Sequence, residues 1–161
     1  MPLRKRDFML KFIGNLLALN AALAGKVRSI QAYDEALDLH VAGEFKSAYP
    51  LMLEASQLGN EKAMCLLGSM YLFSQGVKED GVQAERWLTK SIESGYEEAV
   101  SVLGMAYATG KAGIKIDLDK AIPMLIQASE RGDERSARML SMIENGEGMF
   151  KRLKRGRRKA T

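Results

Sequence analysis

The sequence has few of the residues from which catalytic and metal sites are commonly built. Its 161 residues include one cysteine, Cys65, and one histidine, His40. A single cysteine excludes an intramolecular disulfide and a metal cluster held by thiolates alone. A single histidine excludes His-rich metal sites and makes any Ser-His or Cys-His arrangement depend on one imidazole. We therefore expect Cys65 to be a small buried apolar residue and His40 to lie on the surface or in a groove.

Other signatures of enzymes and of β-sheets are also missing. The sequence contains no phosphate-binding loop, no zinc-ligand spacing and no nucleophile elbow. The acidic pairs Glu79-Asp80 and Glu97-Glu98 are adjacent, so on a helix their side chains point about 100° apart and cannot form a catalytic pair. No segment alternates apolar and polar residues for more than a few positions. The sequence therefore predicts an all-α protein without enzymatic activity, metal or cofactor.

Positive charge is concentrated at the C-terminus. The net charge is +4, but the last eleven residues carry seven Lys or Arg and no acid, so residues 1–150 carry −3. We predict a basic tail over residues 147–161, either solvated or bound to nucleic acid, an anionic membrane or an acidic partner. No aromatic residue lies within 151–161, so base stacking is not expected. The charged residues of the tail are Lys151, Arg152, Lys154, Arg155, Arg157, Arg158 and Lys159.

Residues 1–29 form an N-terminal segment that fits two interpretations. A basic start, an apolar run over 12–24 and an Ala-Leu-Ala sequence before Gly25 are typical of a cleaved signal peptide. The same residues fit a retained helix that ends at Gly25, and we expect this helix to pack on the first repeat unit as a cap. The run is too short for a membrane span of about 20 residues. Retention predicts a cytoplasmic protein, whereas cleavage of residues 1–24 predicts a periplasmic or secreted one.

The central region, residues 30–146, repeats its apolar pattern at an interval of 36 or 37 residues. The recurring residues are Leu67, Leu103 and Leu140, then Ala48, Ala84 and Ala121, and then Gly59, Gly95 and Gly132. Such a period indicates stacked supersecondary units. Each unit contains two runs with the 3–4 spacing of an amphipathic helix, so the unit is a helical hairpin. Asp80 followed by Gln83 predicts the N-cap of a second helix, and Gly95 predicts its end.

The helices predicted from this pattern cover residues 7–24, 29–42, 44–58, 61–73, 81–94, 97–109, 118–131 and 134–144. Gly68 and Gly104 lie inside two of these helices, where glycine costs about 1 kcal/mol relative to alanine. We expect a neighbouring helix to approach closely at both glycines. A single hairpin cannot bury both of its faces, so the hairpins should stack into one α-solenoid with a shared core.

The repeated motif resembles the Sel-one-like (Sel1-like) repeat, a longer relative of the tetratricopeptide repeat. It reads A-x-x-x-L-G-x-x-Y, a Gly-Val turn, an Asp and A-x-x-W-x-x-K-S-x-x-x-G. The second unit matches through Ala63, Leu67, Gly68, Tyr71, Gly76, Val77, Asp80, Ala84, Trp87, Lys90 and Gly95. The third unit matches through Ala99, Leu103, Gly104, Tyr107, Gly110, Gly113, Ile114, Asp117, Ala121, Ala128 and Gly132. The first unit, residues 30–59, is similar to a plain tetratricopeptide unit. The sequence departs from the family pattern at Ser74 and Met124, where a glycine and an aromatic are commoner.

The resemblance implies an α-solenoid of about three stacked hairpins in a right-handed superhelix, with capping helices at both ends. It also implies a non-enzymatic adaptor, of a kind frequent in bacteria, that binds another protein. Some relatives are immunity proteins against secreted toxins, so an immunity or chaperone-like role for a secreted effector is the alternative. Cysteine-rich relatives have disulfide-stapled helices, a type that the single Cys65 excludes.

In tetratricopeptide-type stacks the first helix of each unit lines the concave face, where a helix or an extended peptide binds. The resemblance assigns Tyr33, Leu37, His40, Val41, Lys62, Ser69, Leu72, Phe73, Glu98, Ser101, Met105 and Thr109 to this groove. Phe73 and Met105 would be the apolar anchors. The alternative is that Leu72, Phe73 and Met105 are core residues covered by the N-terminal helix.

Overall fold

In the computed structural model, the backbone is described for residues 3–157 and the side chains for residues 9–146. Across this part of the chain all regular structure is helical. The helices are α1 (Leu3–Val41), α2 (Phe45–Gln57), α3 (Glu61–Phe73), α4 (Gly81–Glu93), α5 (Glu98–Thr109), α6 (Leu118–Glu130) and α7 (Glu134–Arg157), with a 3₁₀ turn at Lys111–Gly113. The predicted all-α class is confirmed, and the predicted bounds of α2 to α6 hold within one residue.

The helices pair into three hairpins, and the hairpins stack in chain order. The pairs are α1 with α2, α3 with α4, and α5 with α6, while α2 against α3, α4 against α5 and α6 against α7 join consecutive hairpins. A continuous core of alanine, leucine, methionine and aromatic side chains runs through the stack. This is the predicted α-solenoid, and α7 covers its C-terminal end.

Within the hairpins, glycine allows the two helices to approach closely. A Cβ atom on Gly68 would lie 2.7 Å from Cγ of Leu88, and one on Gly104 would lie 3.1 Å from Cβ of Met124. Both distances are shorter than ordinary carbon–carbon contact, so a larger residue would push α4 or α6 outward. The predicted close approach at both glycines is confirmed.

The same set of hydrogen bonds shapes the turns after α3 and after α5. The Asp80 backbone N–H donates to the Tyr71 carbonyl at 3.2 Å, and its carboxylate accepts from the Gln83 N–H at 3.0 Å. Asp117 likewise donates to the Tyr107 carbonyl at 3.0 Å and caps α6. The aspartate of the repeat therefore closes the turn and starts the second helix, as the predicted N-cap required.

The N-terminal half of α1 does not form the predicted cap. The helix continues through Gly25 without a break, and every residue from 9 to 24 is exposed. Burial starts at Ser29 and continues at Ala32 and Ala36, where α1 packs on α2. Because α1 stays helical through Gly25, residues 9–24 extend past the first hairpin instead of folding back on it.

By length and composition, the exposed part of α1 could cross a membrane. Met9–Val41 contains an 18-residue window with a mean hydropathy of 1.2, and none of this window is buried. The expectation that the segment is too short to span does not hold, because the helix runs unbroken past both ends of the apolar run.

The last helix is also longer than predicted. Its backbone is helical from Glu134 to Arg157, whereas the sequence predicted an end at residue 144. Lysine and arginine have high helix propensity, and the glycines at 146 and 148 are not enough to end the helix.

We predict that Gly76→Ala destabilises the protein much more than Gly95→Ala. Both glycines have positive φ, +71° and +91°, which costs an alanine about 1–2 kcal/mol. A Cβ on Gly76 would in addition lie 2.1 Å from the Phe45 carbonyl oxygen, whereas one on Gly95 meets nothing within 4 Å. We expect a loss of about 3–5 kcal/mol for Gly76→Ala, measured by urea unfolding followed by circular dichroism. Equal losses for the two variants would contradict this packing.

A second prediction concerns Trp87, which is 7% exposed in the core. Trp87→Ala should lower the free energy of unfolding by about 3–5 kcal/mol, the range for deleting a buried aromatic. Val82→Ala is the control on the same helix, since Val82 is 76% exposed and should change stability by about 0.5 kcal/mol or less. A loss below about 1 kcal/mol for Trp87→Ala, in the same urea experiment, would mean that its ring is not part of the core.

Candidate partner-binding face

The first helices α3 and α5 lie side by side. α3 contacts α5, and α5 contacts α7, in addition to their hairpin and stacking partners. Among the described helices, no two of the second helices α2, α4 and α6 make a comparable contact. We call the surface formed by residues 29–41 of α1 together with α3 and α5 the first-helix face.

Two large apolar side chains are exposed at the C-terminal ends of the first helices. Val41 at the end of α1 is 79% exposed, and Phe73 at the end of α3 is 57% exposed. The Lys111 Nζ lies 5.5 Å from the centroid of the Phe73 ring and 3.4 Å from Glu79 Oε2. Phe73 is thus held by a cation–π contact at the surface, and the alternative that it belongs to a covered core is wrong.

Three residues predicted to line the groove are buried or half-buried. Leu72 is 2% exposed and packs in the core, and Ser101 is 3% exposed with its hydroxyl donating to the Glu98 carbonyl at 3.1 Å. For Leu72 the core alternative is correct. Met105 is half-buried and packs on the core, so it offers a partner less apolar surface than Phe73.

His40 connects the end of the first hairpin to the turn of the next unit. Its Nε2 lies 3.2 Å from Gln75 Oε1, and its ring meets the Phe45 ring edge to face with centroids 4.9 Å apart. The imidazole is half-buried by these contacts. His40 therefore supports the structure of the face more than it contributes to its surface.

The remaining predicted residues are distributed along the first helices. Tyr33 and Lys62 line a pocket of about 240 Å³ between α1 and α3. Leu37 and Ser69 are half-buried, and Thr109 is exposed at the end of α5. These residues are thus partly exposed on the first helices, two of which carry the exposed side chains of Val41 and Phe73.

A polar pocket of about 460 Å³ lies between the start of α5 and the turn that joins α6 to α7. Arg131 Nη2 is 2.6 Å from Glu97 Oε1, and Asp133 accepts hydrogen bonds from Ser136 and Arg135. Burial alone would raise the pKa of Asp133, but these hydrogen bonds hold it below its usual range. Glu97 and Arg131, and Asp133 and Arg135, are therefore paired within the protein. The predicted groove residues Glu98 and Ser101 line this pocket.

Sequence reasoning missed a second pocket, which lies between α2 and α4. Its volume is about 440 Å³, and its lining includes Tyr49, Tyr71 and Trp87. The Lys90 Nζ lies 4.8 Å from the centroid of the Trp87 ring. The hydroxyls of Tyr49 and Tyr71 are 2.8 Å apart, and burial together with this hydrogen bond raises the pKa of Tyr71 to about 12. Tyr71 and Trp87 were repeat markers, so the sequence assigned them to packing alone, and Tyr49 was not singled out.

The structure bears little on two predictions, the binding role of the basic tail and the absence of a metal site. The side chains of residues 151–159 lie outside those described, so a binding role for the tail stays a prediction. Within residues 9–146, no group of three His, Cys, Asp or Glu residues is arranged to hold a metal ion.

The stacked hairpins define the class of protein as an α-solenoid repeat protein. Within this class, residues 61–96 and 98–133 each match the family model of the Sel1 repeat. These are the second and third units recognised from the sequence. Sel1 repeat proteins generally mediate protein–protein interactions and are typically not enzymes. No curated protein matches the sequence.

Three of the solved structures with a similar fold are bacterial proteins. A Sel1 repeat protein from Oxalobacter formigenes is 23% identical over 67% of this chain and 45% of its own, with a TM-score of 0.59. The protective antigen c5321 of uropathogenic Escherichia coli, which has an SLR fold, is 27% identical over 57% of this chain and 20% of its own, with a TM-score of 0.52. Helicobacter pylori cysteine rich protein B is 19% identical over 74% of this chain and 90% of its own, with a TM-score of 0.54. The chain thus spans less than half the length of the first two.

We predict that Cys65 is nearly inert in the folded protein. Its burial, and secondarily the nearby Glu98 carboxylate, raise the pKa of the thiol to about 11 from the model-compound value of 9.0. At pH 8 the thiolate fraction should therefore be about 100-fold lower than in the unfolded chain. We expect iodoacetamide labelling at pH 8 to be slower by at least this factor in buffer than in urea. Cys65→Ser gives the background, and equal rates in buffer and urea would show that the thiol is accessible.

Proposed function

We propose that the protein is a non-enzymatic adaptor that binds one protein partner along the first-helix face. The observation that carries this proposal is the exposure of Phe73, a large apolar side chain at the end of a helix whose other apolar residues are mostly buried. Exposed aromatic side chains on a rigid helical surface are typical centres of protein recognition. A protein partner also agrees with the general role of Sel1 repeats.

The surroundings of Phe73 favour a helix or an extended peptide as the bound segment. Val41 is a second exposed apolar side chain, at the end of α1, while Lys62 and Glu98 are exposed at the N-terminal ends of α3 and α5. A segment with one apolar edge and polar ends would cover Phe73 and keep these charges solvated. The rim charges would influence the rate of association more than the rate of dissociation.

The interaction is proposed for the cytoplasm, the compartment expected for a chain that keeps residues 1–24. A periplasmic or secreted location is the alternative if these residues are removed. Neither location changes the chemistry of the first-helix face.

We predict that Phe73→Ala weakens partner binding at least about 30-fold while the fold stays intact. This factor corresponds to the roughly 2 kcal/mol lost when a central interface residue is truncated. The full chain serves as bait in a native-host extract, the retained protein is identified by mass spectrometry, and its affinity for each variant is measured by calorimetry. Val82→Ala is the matched control, since Val82 is also exposed but lies on the second helix α4.

The proposal fails if Phe73→Ala binds like the unmodified chain. It also fails if deletion of residues 151–161 removes most of the affinity, because the basic tail would then be the binding element. A steep loss of affinity with added salt would accompany that second result, whereas binding to the apolar face should tolerate salt.

A further inference from the structure

The N-terminal half of α1 has no function in the repeat stack. Every residue from 9 to 24 is exposed, and these residues include seven large apolar side chains that are 48–64% exposed over positions 9–19. No described residue of the other helices covers them. A water-soluble helix would place polar residues on its free surface, so this segment is poorly suited to water.

We propose that residues 8–25 are an uncleaved transmembrane anchor that holds the repeat domain at the surface of a lipid bilayer. At about 1.5 Å per residue these 18 residues are about 27 Å long, close to the roughly 30 Å hydrocarbon core of a bilayer. Within them the sole charged residue is Lys11, one turn from the N-terminal end. A lysine in that position can extend its ammonium group to the headgroups.

The residue distribution around the helix favours spanning over lying on the membrane surface. An interfacial helix needs one strongly charged face, and residues 12–25 contain no charge. Large apolar residues cover one side, and the opposite side carries mainly alanine and glycine. Asn15 and Asn20 are the polar exceptions. A single α-helix satisfies its own backbone hydrogen bonds, so this surface can face lipid throughout.

Basic residues lie at both ends of the proposed span. Arg4, Lys5 and Arg6 precede it, and Lys26 and Arg28 follow it, where headgroup phosphates would lie. Arg28 also pairs with Glu54 of α2 through a 2.7 Å contact. Burial begins at Ser29, one turn beyond the span. The first hairpin would therefore sit directly against the headgroups, with no flexible linker between the span and the repeats.

The helix runs without a break from Leu3 to Val41, through the Ala-Leu-Ala before Gly25. Retention of the segment is tested by the mass of the membrane-bound protein.

The test uses the full chain expressed in bacterial cells, with flotation of membranes on a sucrose gradient followed by extraction in alkaline carbonate. We expect the protein to float with the membranes, to resist carbonate and to be released by detergent. Intact-mass measurement on the floated protein should show residues 1–24 still present. Floating separates insertion from simple aggregation, since aggregates stay at the bottom of the gradient.

The decisive variant is Leu16→Arg with Leu17→Arg, which places two charges in the middle of the span. The carbonate-resistant fraction should fall at least 10-fold, with the helical circular dichroism of the repeats unchanged because both leucines are exposed. Val82→Arg with Ile116→Arg is the matched control, since it adds the same charge to exposed positions of the repeats.

Release of the unmodified chain by carbonate would overturn the proposal in favour of peripheral binding. A mature chain that starts at Gly25 would overturn it in favour of a signal peptide. Equal membrane fractions for the two arginine pairs would show that residues 8–25 do not enter the bilayer. None of these results bears on partner binding at Phe73, which is measured on a different surface.

Discussion

The fold depends on small residues where the two helices of each hairpin touch. Ala36 and Ala48 in the first hairpin, and Ala63 and Ala84 in the second, are completely buried. Gly68 brings α3 against Leu88 and the Ala84 carbonyl of α4. Because the helices approach closely, water is excluded from their interface without long side chains. Leucine, methionine and tyrosine side chains fill the space between hairpins. The period of 36 or 37 residues is the spacing at which this contact recurs.

Polar contacts between consecutive hairpins recur at the same interval of residues. The Tyr71 hydroxyl bonds to Tyr49 of the preceding unit, and 36 residues later the Tyr107 hydroxyl donates to Glu85. Burial and the contact with Glu85 raise the pKa of Tyr107, so the phenol stays protonated and remains a donor. The second and third units thus each bind the preceding unit through a part-buried tyrosine hydroxyl as well as through apolar packing, which helps to fix the register between hairpins.

The repeats were predictable from the sequence because each helix boundary appears more than once. Asp80 and Asp117 start equivalent helices and Gly95 and Gly132 follow them, so a mistake in one unit would conflict with the other. Residues 1–29 have no second copy. There the sequence offered only Gly25 as a stop, and a glycine costs a helix about 1 kcal/mol, which the surrounding alanine and leucine residues offset. The helix therefore continued where a break was expected.

The candidate site was less predictable, because the repeat pattern does not show which of two adjacent residues on a helix faces the solvent. Leu72 and Phe73 are adjacent and both apolar, so the pattern assigned both to the groove. Their directions differ by about 100° around α3, which is enough to bury one and expose the other. Ser101 was misplaced for the same reason.

The folding of the repeats does not explain the exposure of Phe73 or of the apolar segment over residues 9–24. Removing either from water would not strengthen the core, because both lie outside it. In a stack whose units contact only their neighbours, surface residues far from the contacts are free to vary without cost to stability. A continuous run of exposed apolar residues, or an exposed aromatic ring, lowers solubility at such a position, which favours binding to something outside the chain. The rigid hairpins between them hold Phe73 at a fixed distance from the end of the apolar segment, so a membrane at one and a partner at the other would be held in a defined geometry.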